Sequence, residues 1–164
     1  MSDDKVLQGP IEKLRSGDLD GAIAELDDLM GSNKTNAEVH HMFAEFANMK
    51  NAEAQDDVIP GGKIMMAYKK AMQLDEENME YIGDFATFAL ECRRIPVAVK
   101  EFQRYARRLE LEDIPVDEVL FTASRNIVDA IEVMDPTKQN PMVQPWLKPV
   151  SYTHLRAHET LRYL

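Results

Sequence analysis

Residues 79–112 read MEYIGDFATFALECRRIPVAVKEFQRYARRLELE, and the spacing within them decides the fold. Ile82, Phe85, Ala86, Ala89 and Leu90 recur every three or four residues, and so do Ala98, Val99, Phe102, Tyr105, Ala106 and Leu109. That period puts each set on one side of a helix, and an apolar stripe must be buried against a neighbour. The stretch Arg93–Pro96 separates the two helices as a short turn. Pro96 is tolerated in the first turn of the second helix, where its missing N–H has no partner to lose. Small Ala86, Ala89 and Ala98 stand among large Phe85, Phe102 and Tyr105, so the pair can approach closely and interlock.

Counted from Met79, this pattern resembles the tetratricopeptide repeat, a helix–turn–helix unit about 34 residues long. Phe85–Ala86 stand at that family's Leu–Gly pair, and Ala89 at its later small or aromatic site. Ala98 and Phe102 fall at its Ala and aromatic sites. Tyr105 replaces a second Ala, and Leu109–Glu110 replace the usual Asp–Pro exit.

The pattern recurs upstream. Gly17-Asp18-Leu19-Asp20-Gly21-Ala22-Ile23 is similar to the family's inter-helix turn. Gly17 is expected to end one helix in the left-handed region and Asp18 to cap the next. Ala22, Leu26 and Leu29 then occupy packing sites. Gly9–Pro10 interrupts the preceding segment, so a short helix from about Pro10 to Ser16 is expected. In the next repeat Phe43–Ala44 and Ala47 match the first helix, and Tyr68 and Ala71 the second. Asn51 to Lys63 between them reads as an inserted loop, about eight residues longer than the usual turn. It is either a tolerated surface insertion or a binding loop with Val58 and Ile59 as anchors. His40 and Ile82 stand where the family carries Trp.

Ile114 to Pro136 reads as a further helix, striped by Val116, Val119, Leu120, Ala123, Ile127, Ala130, Ile131 and Met134. Asp117 lies near its start and Asp135–Pro136 ends it. A stack of such repeats needs a capping helix at its end. The expectation is an all-α helix–turn–helix repeat solenoid of about three repeats plus a capping helix, over residues 1–136. The resemblance covers residues 9 to 112 of it. Phe43, Tyr68, Phe85, Phe102 and Tyr105 are expected to be buried.

Residues 137–149 are Pro-rich and read as extended, with Trp146 as an anchor on the last helices. Residues 150–164 read differently. Val150-Ser-Tyr-Thr-His-Leu-Arg-Ala-His-Glu-Thr160 is what a transposase-type sequencing adapter spells in one reading frame. Pro149 and Tyr163–Leu164 fit the flanking codons. A stretch of this kind is set aside in reasoning about the fold. His154 and His158 then carry no metal reading, and the natural chain is expected to run on past Pro149.

The net charge of −10 argues against nucleic acid, whose binding rests on neutralising phosphates. No apolar run is long enough for a membrane span, and the acidic Met1-Ser2-Asp3-Asp4-Lys5 start is unlike a secretory leader. One cysteine, Cys92, excludes an internal disulfide. A cytoplasmic protein is expected.

Catalytic signals are sparse. His40, His41 and Glu45 form a metal-like cluster, with His41 and Glu45 one helical turn apart, but two ligands do not close a site and a solvated face is the expectation. Cys92 lies beside Arg93 and Arg94 with no base nearby, and a structural role is expected. Gly61–Gly62 lacks the lysine and hydroxyl residue of a phosphate loop. Neither a cofactor nor a metal is expected, and no enzyme.

What remains is a surface. The resemblance implies that first helices line a concave groove. Carried over, the groove positions are Glu38, His41, Glu45, Asn48 and Met49, then Glu80, Gly83, Asp84, Thr87, Leu90 and Glu91. Some relatives clamp a carboxylate there with basic residues. Here acidic residues stand instead, and like charges repel. The expected function is a non-catalytic adaptor or scaffold for a basic or neutral extended or helical protein segment. The alternative is a helical-repeat regulatory segment of a larger, truncated enzyme or regulator.

Overall fold

The computed structural model describes residues 4–115 and 118–134. The extended segment 137–149 with Trp146, the adapter-like 150–164, and Val116, Asp117, Asp135 and Pro136 lie outside them. Seven helices and no strand are found among the described residues. They are α1 (Asp4–Arg15), α2 (Leu19–Ser32), α3 (Ala37–Ala54), α4 (Gly61–Leu74), α5 (Met79–Glu91), α6 (Ile95–Leu111) and α7 (Glu118–Met134). The chain divides into two compact units, residues 1–81 and 82–164, so α5 begins in the first and continues in the second.

In the first unit each helix packs on the next, α1 on α2, α2 on α3 and α3 on α4. Leu7, Pro10, Ala22 and Leu26 are buried at the start of that succession. Val39, Phe43, Ala44 and Ala47 on α3 are buried, as are Ile64, Tyr68 and Ala71 on α4. Fully burying a side chain of the size of Leu or Phe stabilises by about 1.5–3 kcal/mol, which is what holds helices too short to stand alone.

Helix ends follow from local chemistry. Gly17 takes φ +84, its N–H donates to the Leu14 carbonyl, and the Asp18 N–H donates to the Lys13 carbonyl. This is the Schellman closure, and it satisfies carbonyls that the end of α1 leaves over. The Asp18 carboxylate then accepts from the Gly21 N–H at 2.9 Å and caps α2. The same closure recurs at Gln55, Arg93 and Asp113, all non-glycine residues at φ 52 to 55.

Two expectations are corrected here. Gly9–Pro10 does not delay α1, which starts at Asp4 and carries Pro10 in its interior. The proline leaves the Val6 carbonyl without its helical donor, a defect that costs about 3 kcal/mol in an isolated helix. Burial of the Pro10 ring and of Leu7 beside it offsets that cost. A Cβ at Gly9 would meet the Glu25 carboxylate, the movable end of a side chain on α2. That carboxylate is in turn paired with Lys13 at 2.8 Å. The insertion also differs from its expected form. Residues 51–54 extend α3 by a turn and Gly61–Gly62 open α4, so the loop proper is only 55–60.

In the second unit Ile82, Phe85, Ala86 and Ala89 of α5 are buried, as are Ala98, Val99, Phe102, Tyr105 and Leu109 of α6. A Cβ at Gly83 would stand 3.6 Å from the Tyr105 ring, so α5 and α6 approach closely there. The five aromatic residues expected in the core are all at most 8 % exposed. The α7 stripe is corrected in part. Leu120, Ala123 and Ile127 are buried and pack where α7 meets α6, but Val119 is 47 % exposed. Val119 precedes Leu120 on the helix and lies about 100° round from it, off the contacting stripe.

Candidate interaction site

α3 starts on a built turn. The Asn36 side chain accepts from the Val39 N–H at 3.2 Å, and the Asn36 N–H donates to the Asn33 carbonyl. His40 Nε2 lies 3.3 Å from the Lys34 carbonyl and braces the same turn. Burial pushes the His40 imidazole below its ordinary pKa, against the opposing pull of that carbonyl, and Lys70 pushes the same way as burial. Glu38 follows in the first turn of α3, where the helix dipole favours a carboxylate.

Glu38, His41, Glu45 and Asn48 share one face of α3 by their spacing. Glu38 and Glu45 are exposed, Asn48 is half-buried and Met49 is 42 % exposed. The expectation of a solvated His40–His41 face is corrected, because both rings are buried. The His41 ring lies 4.5 Å from that of Tyr81 and meets Tyr68 edge-on at 5.8 Å. Its Nδ1 stands 3.9 Å from the Glu45 carboxylate. Aromatic stacking, absent from a reading of spacing alone, is what turns this face inward at His41.

The Asn78 side chain opens α5 by accepting from the N–H groups of Glu80 and Tyr81 at 3.1 and 3.4 Å. Glu80 is exposed, whereas Tyr81 is only 8 % exposed. Burial raises the Tyr81 phenol above its ordinary pKa, and Glu38, Asp75, Glu80 and Glu45 add to the shift. Thus Glu38, Glu45 and Glu80 act on one phenol within the first unit, together with Asp75, which was not expected at the site. Tyr81 was missed too. The signal was its position three residues past the helix-opening Asn78, hidden because Ile82 took the family's aromatic register.

An open, polar cleft of about 430 Å³ lies at the α2–α3 turn, lined by residues of that turn together with Glu38 and Tyr81. In the second unit Asp84 and Leu90 are half-buried, Gly83 is buried, and Thr87 and Glu91 are exposed along α5. Cys92 is exposed. The loop 55–60 keeps Val58 54 % exposed and Ile59 half-buried. None of the described helices is long and apolar enough to cross a membrane.

No family model matches the chain, and no curated protein matches it. Solved structures do. One crystal structure of MamA superposes with a TM-score of 0.58 at 14 % identity, covering 98 % of this chain and 86 % of that one. A second crystal structure of MamA gives 0.55 at 13 % identity, covering 94 % and 95 %. At such identity the likeness is one of fold, and the fold it shows is an all-α helical repeat of the tetratricopeptide type.

Proposed function

We propose that the chain is a non-catalytic protein-interaction module that binds a basic or neutral segment of a partner, extended or helical, on acidic helix faces. The observation that carries this reading is the exposure of Glu38 and Glu45 on α3 and of Glu80 at the start of α5, with the His41 ring of α3 set 4.5 Å from that of Tyr81. Helical repeats of this type are binding surfaces more often than catalytic ones, although fold alone does not assign function. In the second unit Asp84, Thr87, Leu90 and Glu91 offer a further strip of acid, hydroxyl and apolar contact along α5. Charge complementarity of this kind governs partner choice and association rate, and it weakens with salt.

The test is capture of a partner, mapping of its minimal binding peptide, and titration of that peptide against charge reversals. The peptide should carry Lys or Arg. Glu45→Lys and Asp84→Lys should each weaken it several-fold at low salt and less at high salt. A second reading places binding on the 55–60 loop, favoured by the exposure of Val58. Affinity unchanged in both reversals but lost on deleting residues 56–61 would decide for the loop.

A further inference from the structure

The geometry points to the cleft at the α2–α3 turn as a pocket for one arginine side chain of a protein partner, with Glu38 and Tyr81 as its recognising groups. The inference rests on the interaction reading above and names the residue that the partner would present.

The cleft is open and of about 430 Å³, ample for a single side chain entering from solvent. Among the described residues its lining carries the hydroxyls of Ser32 and Thr35, the amides of Asn33 and Asn36, one carboxylate and one phenol, and no cationic side chain. Its floor is not a loose loop. The Asn36 cap, the Asn33–Leu29 backbone bond and the His40 contact to Lys34 hold the turn at both ends.

Tyr81 is the second, independent pointer. Its residue is 8 % exposed, its ring is stacked on His41, and its N–H is used by Asn78. No hydrogen bond engages its hydroxyl among the described residues, although Tyr81 lines the cleft. That oxygen is not one of the buried polar atoms cut off from solvent, so it is open to a ligand entering the cleft. An oxygen left available beside a carboxylate, with further acceptors around it, suits a ligand that is rich in donors and positively charged.

Guanidinium fits that description better than ammonium. It presents five N–H groups in a plane, so it can fork onto the Glu38 carboxylate and still reach the phenol oxygen and an amide carbonyl. Its flat face also tolerates contact with an aromatic ring. Lysine offers three donors on a compact, strongly hydrated head and loses more on leaving water.

The experiment uses the full chain, labelled with nitrogen-15, and three blocked pentapeptides, acetyl-Gly-Ser-Xaa-Ser-Gly-amide with arginine, lysine or citrulline as Xaa. Citrulline keeps the shape of arginine and loses its charge. The arginine peptide should shift the amide signals of Thr35, Glu38 and Tyr81 in a saturable way. Lysine should bind several-fold more weakly and citrulline should not saturate. Glu38→Gln should weaken the arginine peptide about tenfold. Tyr81→Phe should weaken it less, with an otherwise superposable spectrum that shows the fold intact. Shifts scattered over the surface, equal binding of citrulline, equal binding of lysine, or full affinity in Glu38→Gln would each overturn the assignment. Failure here is separable from failure of the interaction reading. A mapped partner peptide that is weakened by Glu45→Lys but indifferent to Glu38→Gln would leave that reading standing and remove this one.

Discussion

The Asn51 side chain pairs with the backbone of Ile59 in both directions. Its Nδ2 donates to the Ile59 carbonyl at 2.7 Å, and its Oδ1 accepts from the Ile59 N–H at 2.8 Å. One amide thus does for the loop what a neighbouring strand would do, from the last turn of a helix. Asn51→Ala should leave both backbone groups of Ile59 to water and cost about 1–3 kcal/mol. Asn51→Asp keeps the acceptor but sets a carboxylate oxygen against a carbonyl, so it should cost at least as much. Amide exchange at Ile59 is the direct readout. Protection unchanged in Asn51→Ala would mean that the loop is held by something other than this pair.

That clasp marks where sequence reading reached its limit. Helix existence, the Gly17–Asp18 turn and the five buried aromatics are local or periodic features, and periodicity reports them directly. The loop bounds are not periodic. Residues 51–54 stayed helical because Asn51 has a use in the helix, and that use depends on Ile59 eight positions on. Pro10 was misread for a related reason, since local propensity forbids what burial of its ring permits. At the site, spacing placed Glu38 and Glu45 on a face but could not tell that stacking on Tyr81 and Tyr68 buries His41 between them. The α2–α3 cleft was invisible for the same reason, because it joins a turn to a residue more than forty positions away.

Three Schellman closures carry a side chain where the motif favours glycine, at Gln55, Arg93 and Asp113. The left-handed conformation costs an L residue about 1–2 kcal/mol, partly returned by the chain entropy that glycine would lose. Arg93→Gly should therefore raise stability by a few tenths to about 1 kcal/mol, and Gly17→Ala should lower it by about 1 kcal/mol. Paired denaturant titrations measure both. Opposite signs at the two sites are the expected outcome, and a loss in Arg93→Gly would show that the arginine side chain contributes more than its backbone costs.

Phe102 is 3 % exposed on α6. Phe102→Ala removes its transfer free energy and leaves a cavity that close-packed helices fill only in part, so it should cost about 3–5 kcal/mol. Urea unfolding of the variant measures this. A cost below about 1 kcal/mol, well short of that range, would put Phe102 on the surface and shift the register of the repeat.

Glu101 is buried on the same helix, and its Oε2 has no hydrogen-bond partner among the described residues. The cations nearest it, Lys100 and Arg104, stand 3.8 and 3.9 Å away. That is too long for hydrogen bonding, and Lys100 is largely in solvent. A carboxylate that is desolvated but weakly paired is a place where an apolar side chain of similar length does better. Glu101→Met should be neutral or stabilising by about 1 kcal/mol in urea unfolding. Destabilisation by several kcal/mol would instead reveal that Arg104 depends on this carboxylate for its own place.

His40 links the turn before α3 to pH. Burial holds its folded pKa below the ordinary 6.5, and Lys70 adds to the effect. Between its folded pKa and 6.5 the unfolded chain therefore binds more protons at this residue than the folded chain does. Stability from His40 is accordingly complete above pH 6.5, falls as pH drops below that value, and levels off beneath the folded pKa. Other groups titrate in the same range, so the comparison must be between the parent and His40→Phe. The variant keeps an aromatic ring in the site and loses only the titration and the contact with the Lys34 carbonyl. From pH 7.5 to pH 5.5 the urea midpoint of the parent should fall by more than that of His40→Phe. Parallel profiles would mean that the imidazole stays as easily protonated in the fold as in the open chain, and that the turn opens to solvent around it.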